Sequence, residues 1–411
     1  MEGNVLLFAL VIFPMACALV AYLISRKSVK TCQYFSIACA VVEGVIAAAL
    51  IFSPEEYFFS FDGLCALGIN LAFDGFRKVY CGVAAIMWLL TLLFSAEYFK
   101  YYKNRGRYYF FNLMTLGAMV GLFLSADLIT AFIFFEVMSF ASYEWVAHEE
   151  TPDSLKAADT YLAVAVIGGL TALMGIFIIN SKLGTVNISE LYSAAAACPD
   201  KGALYAAGLC MLFGFGAKAG MFPLHIWLPK THTVAPAPAS ALLSGILTKA
   251  GIFGILAVSC NIFRYDPRWG TVVLILGTIT MVLGALLALF SIDLKRTLAC
   301  SSISQIGFIL VGIGMMSLLS QDNSLATRGT FLHMVNHSML KLCLFMAAGA
   351  VFMNIHELDL NKTRGFGRKK PFLNVVFLIG ALGIGGIPLF NGYVSKTLLH
   401  ESIVQYTEVL L

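Results

Sequence analysis

Long apolar runs recur along almost the whole chain, and short polar segments separate them. Most of these runs hold about 20 residues, which is enough for an α-helix to cross a bilayer. Twelve spans are predicted, the last of them interrupted: 4–24, 31–53, 76–98, 109–126, 128–148, 158–180, 202–222, 239–260, 270–291, 297–319, 329–353 and 371–411. The pattern therefore predicts an all-α polytopic membrane protein.

Helix-breaking residues interrupt two of the apolar runs. The first is GFGAKAGMFPLHIWLP (214–229), where Pro223 follows a lysine and further prolines follow closely. The second is GIGGIPLFNGYVSK (383–396), which contains several glycines and Pro388. A proline removes a helix hydrogen bond and clashes with the preceding turn, so we expect a broken helix in each region.

Broken helices in matching positions of two halves are typical of inverted-repeat transporters, whose site lies near the membrane midplane. We therefore expect three N-terminal transmembrane helices in 1–108 and a first repeat of helices 4–8 in 109–260. A second repeat, of helices 9–12, is expected in 261–411. We expect this repeat to be one helix shorter than the first, because the given sequence stops at its broken helix.

The composition and the distribution of charge support a membrane location. Hydrophobic residues make up 59% of the chain and charged residues 12%, whereas a soluble domain carries roughly a quarter charged residues. Lys and Arg are more than twice as frequent in alternate loops, beginning with the first loop, as in the opposite loops. The most basic is KTRGFGRKK (362–370). This bias predicts a multi-pass protein of the cell membrane with its N-terminus outside the cytoplasm.

The cysteines and the short motifs argue against a cofactor. The ten cysteines are scattered and form no CxxC pair, so neither iron–sulfur nor zinc ligation is indicated. No phosphate-binding loop, nucleophile triad or dinucleotide fingerprint is present. We expect no cofactor, no metal, no nucleic-acid partner and no redox chemistry in this chain itself.

Among the acidic residues inside predicted spans, three are considered as functional candidates, because a charge at bilayer depth costs about 2.5–3.5 kcal/mol. Glu136, in FIFFEVMSF, lies near mid-span, which favours a functional role over a structural hydrogen bond. Glu144 faces within about 80° of it on a helix, either as a second carboxylate on the route or as an interfacial group in water. For Glu43, in CAVVEGVIA, a structural contact is slightly favoured.

Lys218 and Lys249 are flanked by apolar residues in neighbouring spans. Lys249 is too central in its span for an easy escape to the interface. Lys218 lies just before the break at Pro223, where water and freed carbonyls can reach its amine. A lysine balanced between burial and a carboxylate can change protonation, which a permanently charged arginine cannot do. Both residues are therefore candidates for proton transfer.

His333, His337 and Lys341, in FLHMVNHSMLKLCLF, recur every four residues and share one helix face. Two histidines at this spacing could bind zinc, but the third position is a lysine and no HExxH glutamate is present. Histidine titrates near neutral pH, so a proton relay fits the row better. Structural polar packing remains the alternative.

Lys396 follows the second break, as Lys218 precedes the first, and is also a functional candidate. His225 and His232 flank a tryptophan beside the first break. They could line an entry path or cap a re-entrant turn. Capping is favoured for His225, and the two alternatives are equal for His232.

Several of these motifs resemble a known family. The chain is similar to the antiporter-like proton-pumping subunits of respiratory complex I, to multisubunit cation/proton antiporters, and to the membrane arms of energy-converting hydrogenases and formate hydrogenlyases. The resemblance runs from about residue 60 to the end. It is carried by FFEVMSFASY (134–143), AKAGMFPLHIWLPKTHTVAPAPASALLSGILTKAGIFGI (217–255), DLKRTLACSSISQIGFI (293–309), HMVNHSMLKLCLFMAAG (333–349) and, more weakly, PLFNGYVSK (388–396).

The resemblance implies a role for each matching residue. Glu136 matches the glutamate that pairs with the lysine of the broken helix, Lys218, and Lys249 matches the lysine that passes the proton to the central axis. His333, His337 and Lys341 match the central histidine–lysine connection. Lys396 matches the charged residue of the second broken helix, which leads to the far side. The family thus implies a polar axis through Glu136, Lys218, Lys249, His337, Lys341 and Lys396.

The resemblance also implies partners. Members of the family that the chain resembles usually have about fourteen spans, and often more sequence after the second broken helix. We therefore expect other membrane subunits, a peripheral redox arm and the lipid bilayer as partners. A natural short form, a truncation and a separate chain that supplies the last helices all remain open.

Three functional hypotheses follow. In the first, the chain is a proton- or sodium-translocating subunit of a redox-driven complex such as a hydrogenase, formate hydrogenlyase or NADH/quinone dehydrogenase-like complex. In the second, it is a subunit of a multisubunit monovalent cation/proton antiporter without a redox partner. In the third, it is a membrane spacer that has lost translocation, which the retention of every axis residue argues against.

Overall fold

The computed structural model describes residues 2–61 and 68–410. These residues form two compact units, Met1–Gly214 and Phe215–Leu411. The first unit contains helices α1 (Glu2–Ser25), α2 (Val29–Ile51), α3 (Gly75–Tyr98), α4 (Arg105–Leu124), α5 (Leu128–Ala147), α6 (Pro152–Leu183), the short α7 (Leu191–Ala197) and most of α8 (Lys201–Ala219). The second contains α9 (Trp227–Val234), α10 (Ala237–Leu242), α11 (Thr248–Ala257), α12 (Pro267–Leu289), α13 (Leu294–Leu318), α14 (Ser324–Ile355), the short α15 (Phe366–Lys369), α16 (Pro371–Gly385) and α17 (Asn391–Leu410).

The predicted all-α membrane architecture is confirmed. Ten of the twelve predicted spans correspond to helical segments that are long and apolar enough to cross a membrane. The other two, 109–126 and 371–411, are also helical: the first is α4, and the second is α16 followed by α17. The interruption predicted in the last span therefore falls between α16 and α17.

Capping side chains set many of the helix starts. The side chain of Asp127 accepts hydrogen bonds from the backbone N–H of Thr130, at 2.7 Å, and from its hydroxyl, also at 2.7 Å. Thr151, Asp266 and Asp293 cap their helices in the same way. Each satisfies backbone donors that have no partner within the helix, which fixes where the membrane helix begins.

One element was not predicted from the sequence. Between α2 and α3, strands β1 (Tyr57–Phe61) and β2 (Ile69–Phe73) pair in an antiparallel hairpin, with Tyr57 opposite Phe73 and Phe61 opposite Ile69. The hairpin is joined to the start of α5 through Asn70, whose amide donates to Asp127 at 3.0 Å. Its short apolar strands lie beside long apolar helices, so hydrophobic periodicity does not distinguish them.

Helix α14 is the centre of the second unit. It packs against α10, α13, α16, α17 and the turn that joins α10 to α11. Helices α12 and α13 form the most extensive pair in the unit. The predicted histidine–lysine row lies on α14, so the surrounding helices can present their side chains to it.

Candidate functional site

The first helix break follows Lys218, as predicted. Helix α8 ends at Ala219, and Lys218 is buried in its last turn. The Trp227 indole donates to the carbonyl of Ala217 at 2.8 Å, and the N–H of Phe222 donates to the Thr280 hydroxyl at 3.1 Å. Two backbone groups at the break therefore have side-chain partners, and Lys218 lies at a helix C-terminus, where the helix dipole favours a positive charge.

Lys249 follows a distortion of its own helix. Residues Leu243–Leu247 form a π-helical turn directly before α11. The carbonyl of Ser244 in this turn accepts the Thr248 hydroxyl at 2.9 Å and the Lys249 amine at 3.2 Å. Single π-turns within helices are frequent at functional sites, and here the turn offers a carbonyl to a fully buried amine.

Lys249 and His337 are in direct contact. The Lys249 amine is hydrogen-bonded to Nδ1 of His337 on α14, and both side chains are buried. When the amine is protonated it donates this bond, so the hydrogen of the neutral imidazole lies on Nε2. Among the described residues, that Nε2 has no hydrogen-bond partner. His337 is therefore placed to accept a proton on one nitrogen and release one from the other.

His333 lies one turn before His337 and contacts the second broken helix. Its Nδ1 is 3.0 Å from the Ser395 hydroxyl, and its Nε2 also has no hydrogen-bond partner among the described residues. Asn336 reinforces the junction, because its amide donates to the carbonyl of Asn391 at 2.9 Å and accepts from the Asn391 amide at 3.1 Å. Helices α14 and α17 are thus joined by polar side chains at the histidine row.

Lys396 reaches back across the second break. Its amine donates to the carbonyls of Ile384 and Gly385, at 2.8 and 3.3 Å, and lies 4.6 Å from the centre of the Phe308 ring. These carbonyls end α16, so this lysine also neutralises a helix C-terminus. The next residue, Gly386, has a φ of 79°, and a Cβ there would meet the Lys396 side chain. A glycine is required on both counts.

Lys341 shares the α14 face with the histidines but has different partners. It is fully buried and donates to the carbonyl of Leu298, at 2.7 Å, and to the Ser301 hydroxyl of α13. His232 of α9 stacks on the Phe345 ring with 4.8 Å between centres. It is fully buried, and neither of its ring nitrogens has a hydrogen-bond partner among the described residues. Capping therefore does not explain His232.

His225 is half-buried and stacks on Phe222 at 6.1 Å. Its Nδ1 is buried and has no hydrogen-bond partner within the described chain. The structure therefore gives this histidine a packing contact and no capping hydrogen bond through that nitrogen.

In the first unit, Glu136 is half-buried on α5 and lies against α6. A Cβ added at Gly169 would collide with its carboxylate, so the absence of a side chain there makes room for it. Ser142 of α5 and Tyr161 of α6 are hydrogen-bonded at 2.5 Å on the same pair of helices. The carboxylate therefore lies between α5 and α6, which are also joined by the hydrogen bond between Ser142 and Tyr161.

Glu144 is an ion-paired group and does not lie free in water. It is buried near the end of α5, where it accepts from Arg107 at 2.8 Å and pairs with His148 at 2.7 Å. Arg107 also pairs with Glu150 in the following loop. The alternative of a solvated interfacial carboxylate is wrong, because an arginine neutralises this one.

The sequence favoured a structural contact for Glu43, but its carboxylate forms no hydrogen bond with a described residue. Its side chain is 1% exposed, and neither carboxylate oxygen has a hydrogen-bond partner among residues 2–61 and 68–410. The neighbouring groups include the thiols of Cys17 and Cys81. A buried polar group of this kind costs stability without a compensating bond.

The structure brings part of the predicted set together. In the second unit, Lys249 contacts His337, and His333 lies one turn away on the same helix. His333 in turn contacts α17, the helix that carries Lys396. Lys341 is on the same helix as the histidines. Sequence reasoning missed the polar side chains that support them: Ser244, Ser301, Ser302, Asn336, Asn391 and Ser395. A signal was present, since CSSISQ (300–305) is a polar segment inside an apolar helix. In the described part of the chain, no group of three or more His, Cys, Asp or Glu residues could hold a metal ion.

Comparisons with known proteins place the chain among membrane subunits. The sequence model of a family described as "NADH:quinone oxidoreductase/Mrp antiporter, TM" matches residues 125–411. Hydrogenase-4 component B of Escherichia coli (strain K12) is 32% identical over 83% of this chain and 52% of that protein. A Na(+)/H(+) antiporter subunit of Alkalihalophilus pseudofirmus is 33% identical over 80% of this chain and 66% of that protein. The chain thus spans about half to two-thirds of the length of these relatives.

Two solved structures share the fold. A chain of the Mrp complex from Dietzia sp. DQ12-45-1b superposes with a TM-score of 0.89 at 24% identity, covering 100% of this chain and 76% of that one. A chain of the archaeal membrane-bound sulfane sulfur reductase superposes with a TM-score of 0.86 at 22% identity, covering 96% and 81%. Both similar chains are components of membrane complexes.

Proposed function

The chain belongs to the NADH:quinone oxidoreductase/Mrp antiporter transmembrane family, and on that basis we propose that it translocates protons as a membrane subunit of a redox-driven complex. The observation that carries the proposal is the buried contact between Lys249 and His337. Two groups that can exchange a proton touch each other in the middle of an apolar helical unit. Such pairs are rare inside membrane proteins and accompany proton relays.

The proposed route within the second unit has three steps. Protonated Lys249 gives its proton to Nδ1 of His337, and the imidazole releases a proton from Nε2. The second proposed step joins the unpartnered nitrogens of His337 and His333 through buried water, which commonly serves buried polar atoms without a protein partner. The proton then passes to the region of Lys396, which stands beside the second break.

The nitrogen chemistry of this row favours protons over sodium ions. Its titratable groups are amines and imidazoles, whereas hard cations prefer several oxygen ligands. A protonated lysine would also repel a cation. We therefore propose that the row carries protons, and a sodium ion exchanged by the complex would use another path.

Glu136 and Lys218 enter the proposal through the family resemblance. Glu136 is proposed to pair with Lys218, so that a charge change at the redox partner displaces the pair and alters the proton affinity of Lys249. Double replacement separates pairing from independent roles: Glu136→Gln with Lys218→Gln should lose no more proton transport than either single change. Additive losses would contradict the pairing.

Proton uptake by the reconstituted complex tests the proposal. Lys249→Arg keeps a positive charge but cannot release its proton near neutral pH, so it should abolish transport as fully as Lys249→Gln. Lys230→Gln, at an exposed position of α9, is the matched control and should transport normally. Wild-type transport by both Lys249 variants would contradict the relay and would revive the membrane-spacer hypothesis.

A second candidate function is that of an antiporter subunit without a redox partner. The 33% identity with the Na(+)/H(+) antiporter subunit of Alkalihalophilus pseudofirmus favours it. A sodium-dependent pH gradient across vesicles, formed without any electron donor, would support this alternative. Co-purification of a peripheral redox arm with the chain, together with donor-dependent proton uptake, would support the first proposal.

We further propose that the chain lies in the cytoplasmic membrane with its N-terminus outside. The basic loop at 362–370 supports this orientation, because positively charged loops remain on the cytoplasmic side. A cysteine introduced at Arg368 should react with a membrane-impermeant thiol reagent only after the cells are opened. Labelling in intact cells would reverse the orientation.

A further inference from the structure

A cavity of about 690 Å³ lies in the first unit, away from the lysine–histidine row. Its volume is in the range of roughly 300–1,000 Å³ that is typical of small-ligand sites. It opens where α1 ends and where α2 and α4 begin, and all of its walls belong to Met1–Gly214. Its lining residues include Tyr22, Ser25, Asn104, Arg105, Phe110 and Phe111.

The mouth of this cavity is positively charged. Arg105 lines it, is half-buried and forms no ion pair with any described residue. Arg26 lies over the ring of Tyr22 at 5.8 Å and donates to the Tyr22 hydroxyl at 3.3 Å. Lys27 and Lys30 are exposed in the same α1–α2 segment. One guanidinium group therefore lines the cavity at the start of α4, and a second lies beside its lining residue Tyr22, in the turn after α1.

The carboxylates near the opening are engaged elsewhere. Arg107, the other arginine of the lining, is paired with Glu144 and Glu150. Glu149 interacts with the hydroxyl of Tyr102. Glu144 and Glu150 offset Arg107, whereas Arg105 and Arg26 have no carboxylate partner among the described residues.

The inner wall is aromatic. The Tyr22 and Phe110 rings meet edge to face at 5.8 Å, and the Phe110 and Phe111 rings lie 4.9 Å apart. Ser25 and Asn104 add polar side chains to the lining. Because the helix ends mark the membrane–water interface, the cavity is polar toward the headgroups and apolar toward the hydrocarbon.

We propose that this cavity binds one anionic glycerophospholipid. Its phosphodiester lies between Arg105 and Arg26, since guanidinium groups bind phosphate through paired hydrogen bonds. The glycerol esters lie near Ser25 and Asn104, and an acyl chain follows Phe110 and Phe111. A free phosphate would satisfy the arginines but would leave the aromatic wall without a partner, so the amphiphile is the better fit.

Native mass spectrometry of the full chain, released from micelles that contain phosphatidylglycerol or phosphatidylcholine, tests this proposal. The wild-type chain should retain one phosphatidylglycerol and little phosphatidylcholine. Arg105→Gln should weaken phosphatidylglycerol binding about tenfold, as expected when a hydrogen bond to a charged group is lost. Arg26→Gln, at an exposed position, should weaken it in the same direction and guards against misfolding of the first variant.

Arg368→Gln is the matched control, because it removes an exposed arginine from a basic loop of the other unit. An equal loss in Arg368→Gln and Arg105→Gln would mean that only diffuse surface charge attracts the lipid, and would overturn the proposal. Phe110→Ala should also reduce lipid retention. If it has no effect and inorganic phosphate displaces the lipid, the cavity is a site for soluble phosphate and the lipid assignment is wrong.

Discussion

Two replacements of His337 distinguish a proton relay from a simple hydrogen-bond acceptor. His337→Leu removes both the acceptor for Lys249 and the titratable ring. His337→Gln retains an acceptor oxygen but cannot take up a proton near neutral pH. Both variants should stop proton transport if the ring relays protons. Only the leucine variant should also lose stability.

The contacts of Lys249 set the size of the stability effect. Apart from His337, the amine has the Ser244 carbonyl at 3.2 Å, which already accepts the Thr248 hydroxyl, and Thr248 Oγ1 at 3.5 Å, which is at the limit of a hydrogen bond. Loss of a hydrogen bond to a charged group costs about 1.5–3 kcal/mol. His337→Leu should therefore lose about 1.5–3 kcal/mol of stability relative to His337→Gln, which keeps an acceptor for the amine.

The assay combines donor-driven proton uptake by proteoliposomes with thermal unfolding of the purified complex. His337→Leu should melt at a lower temperature than His337→Gln, and both should take up protons at background rates. His400→Gln is the control, because its side chain is 73% exposed on α17. Transport at the wild-type rate in His337→Gln would refute the relay and leave His337 as an acceptor only.

Three further predictions concern other parts of the molecule. Glu43→Met should raise the melting temperature, because it removes a buried carboxyl whose unmade hydrogen bonds cost about 1–3 kcal/mol; a lower melting temperature would contradict this. Phe308→Leu should remove the cation–π interaction with the Lys396 amine, which contributes about 0.5–2 kcal/mol, and should slow proton uptake without abolishing it. In the loop after α14, hydrogen bonds from Lys362 and from two backbone N–H groups lower the pKa of Glu357 from 4.5 to about 2. A lowered carboxyl pKa contributes stability above pH 4.5 that is lost as the pH falls through about 2, and Lys362→Met should shift the Glu357 titration upward in a carboxyl ¹³C NMR experiment.

Much of the fold could be predicted from the sequence. The apolar runs indicated the membrane helices, because residues that face lipid must be apolar over the full length of a span. Pro223 and the glycines near Lys396 indicated both breaks, because their effect on the backbone is local. The β-hairpin and the π-turn before Lys249 were not predicted, since neither has a distinct periodicity.

Part of the candidate site could also be predicted from the sequence. Buried lysines and histidines are rare in membrane helices, so each was conspicuous before any contact was known. Their hydrogen-bond partners were not conspicuous, because serine and asparagine are common residue types. The importance of Ser395 and Asn336 depends on which residues lie beside them in the fold. Glu43 shows the converse, since its sequence context suggested a structural contact, and no described residue forms a hydrogen bond with its carboxylate.

The sequence by itself determined that the chain is a helical membrane protein with two breaks and a row of titratable groups on one helix. Only the tertiary structure decided that Lys249 meets His337, that His333 meets the second broken helix, and that Lys341 turns instead toward α13. The physical reason is that hydropathy and backbone preference act within a few residues along the chain. Which faces of apolar helices meet depends on side-chain packing between segments far apart in sequence.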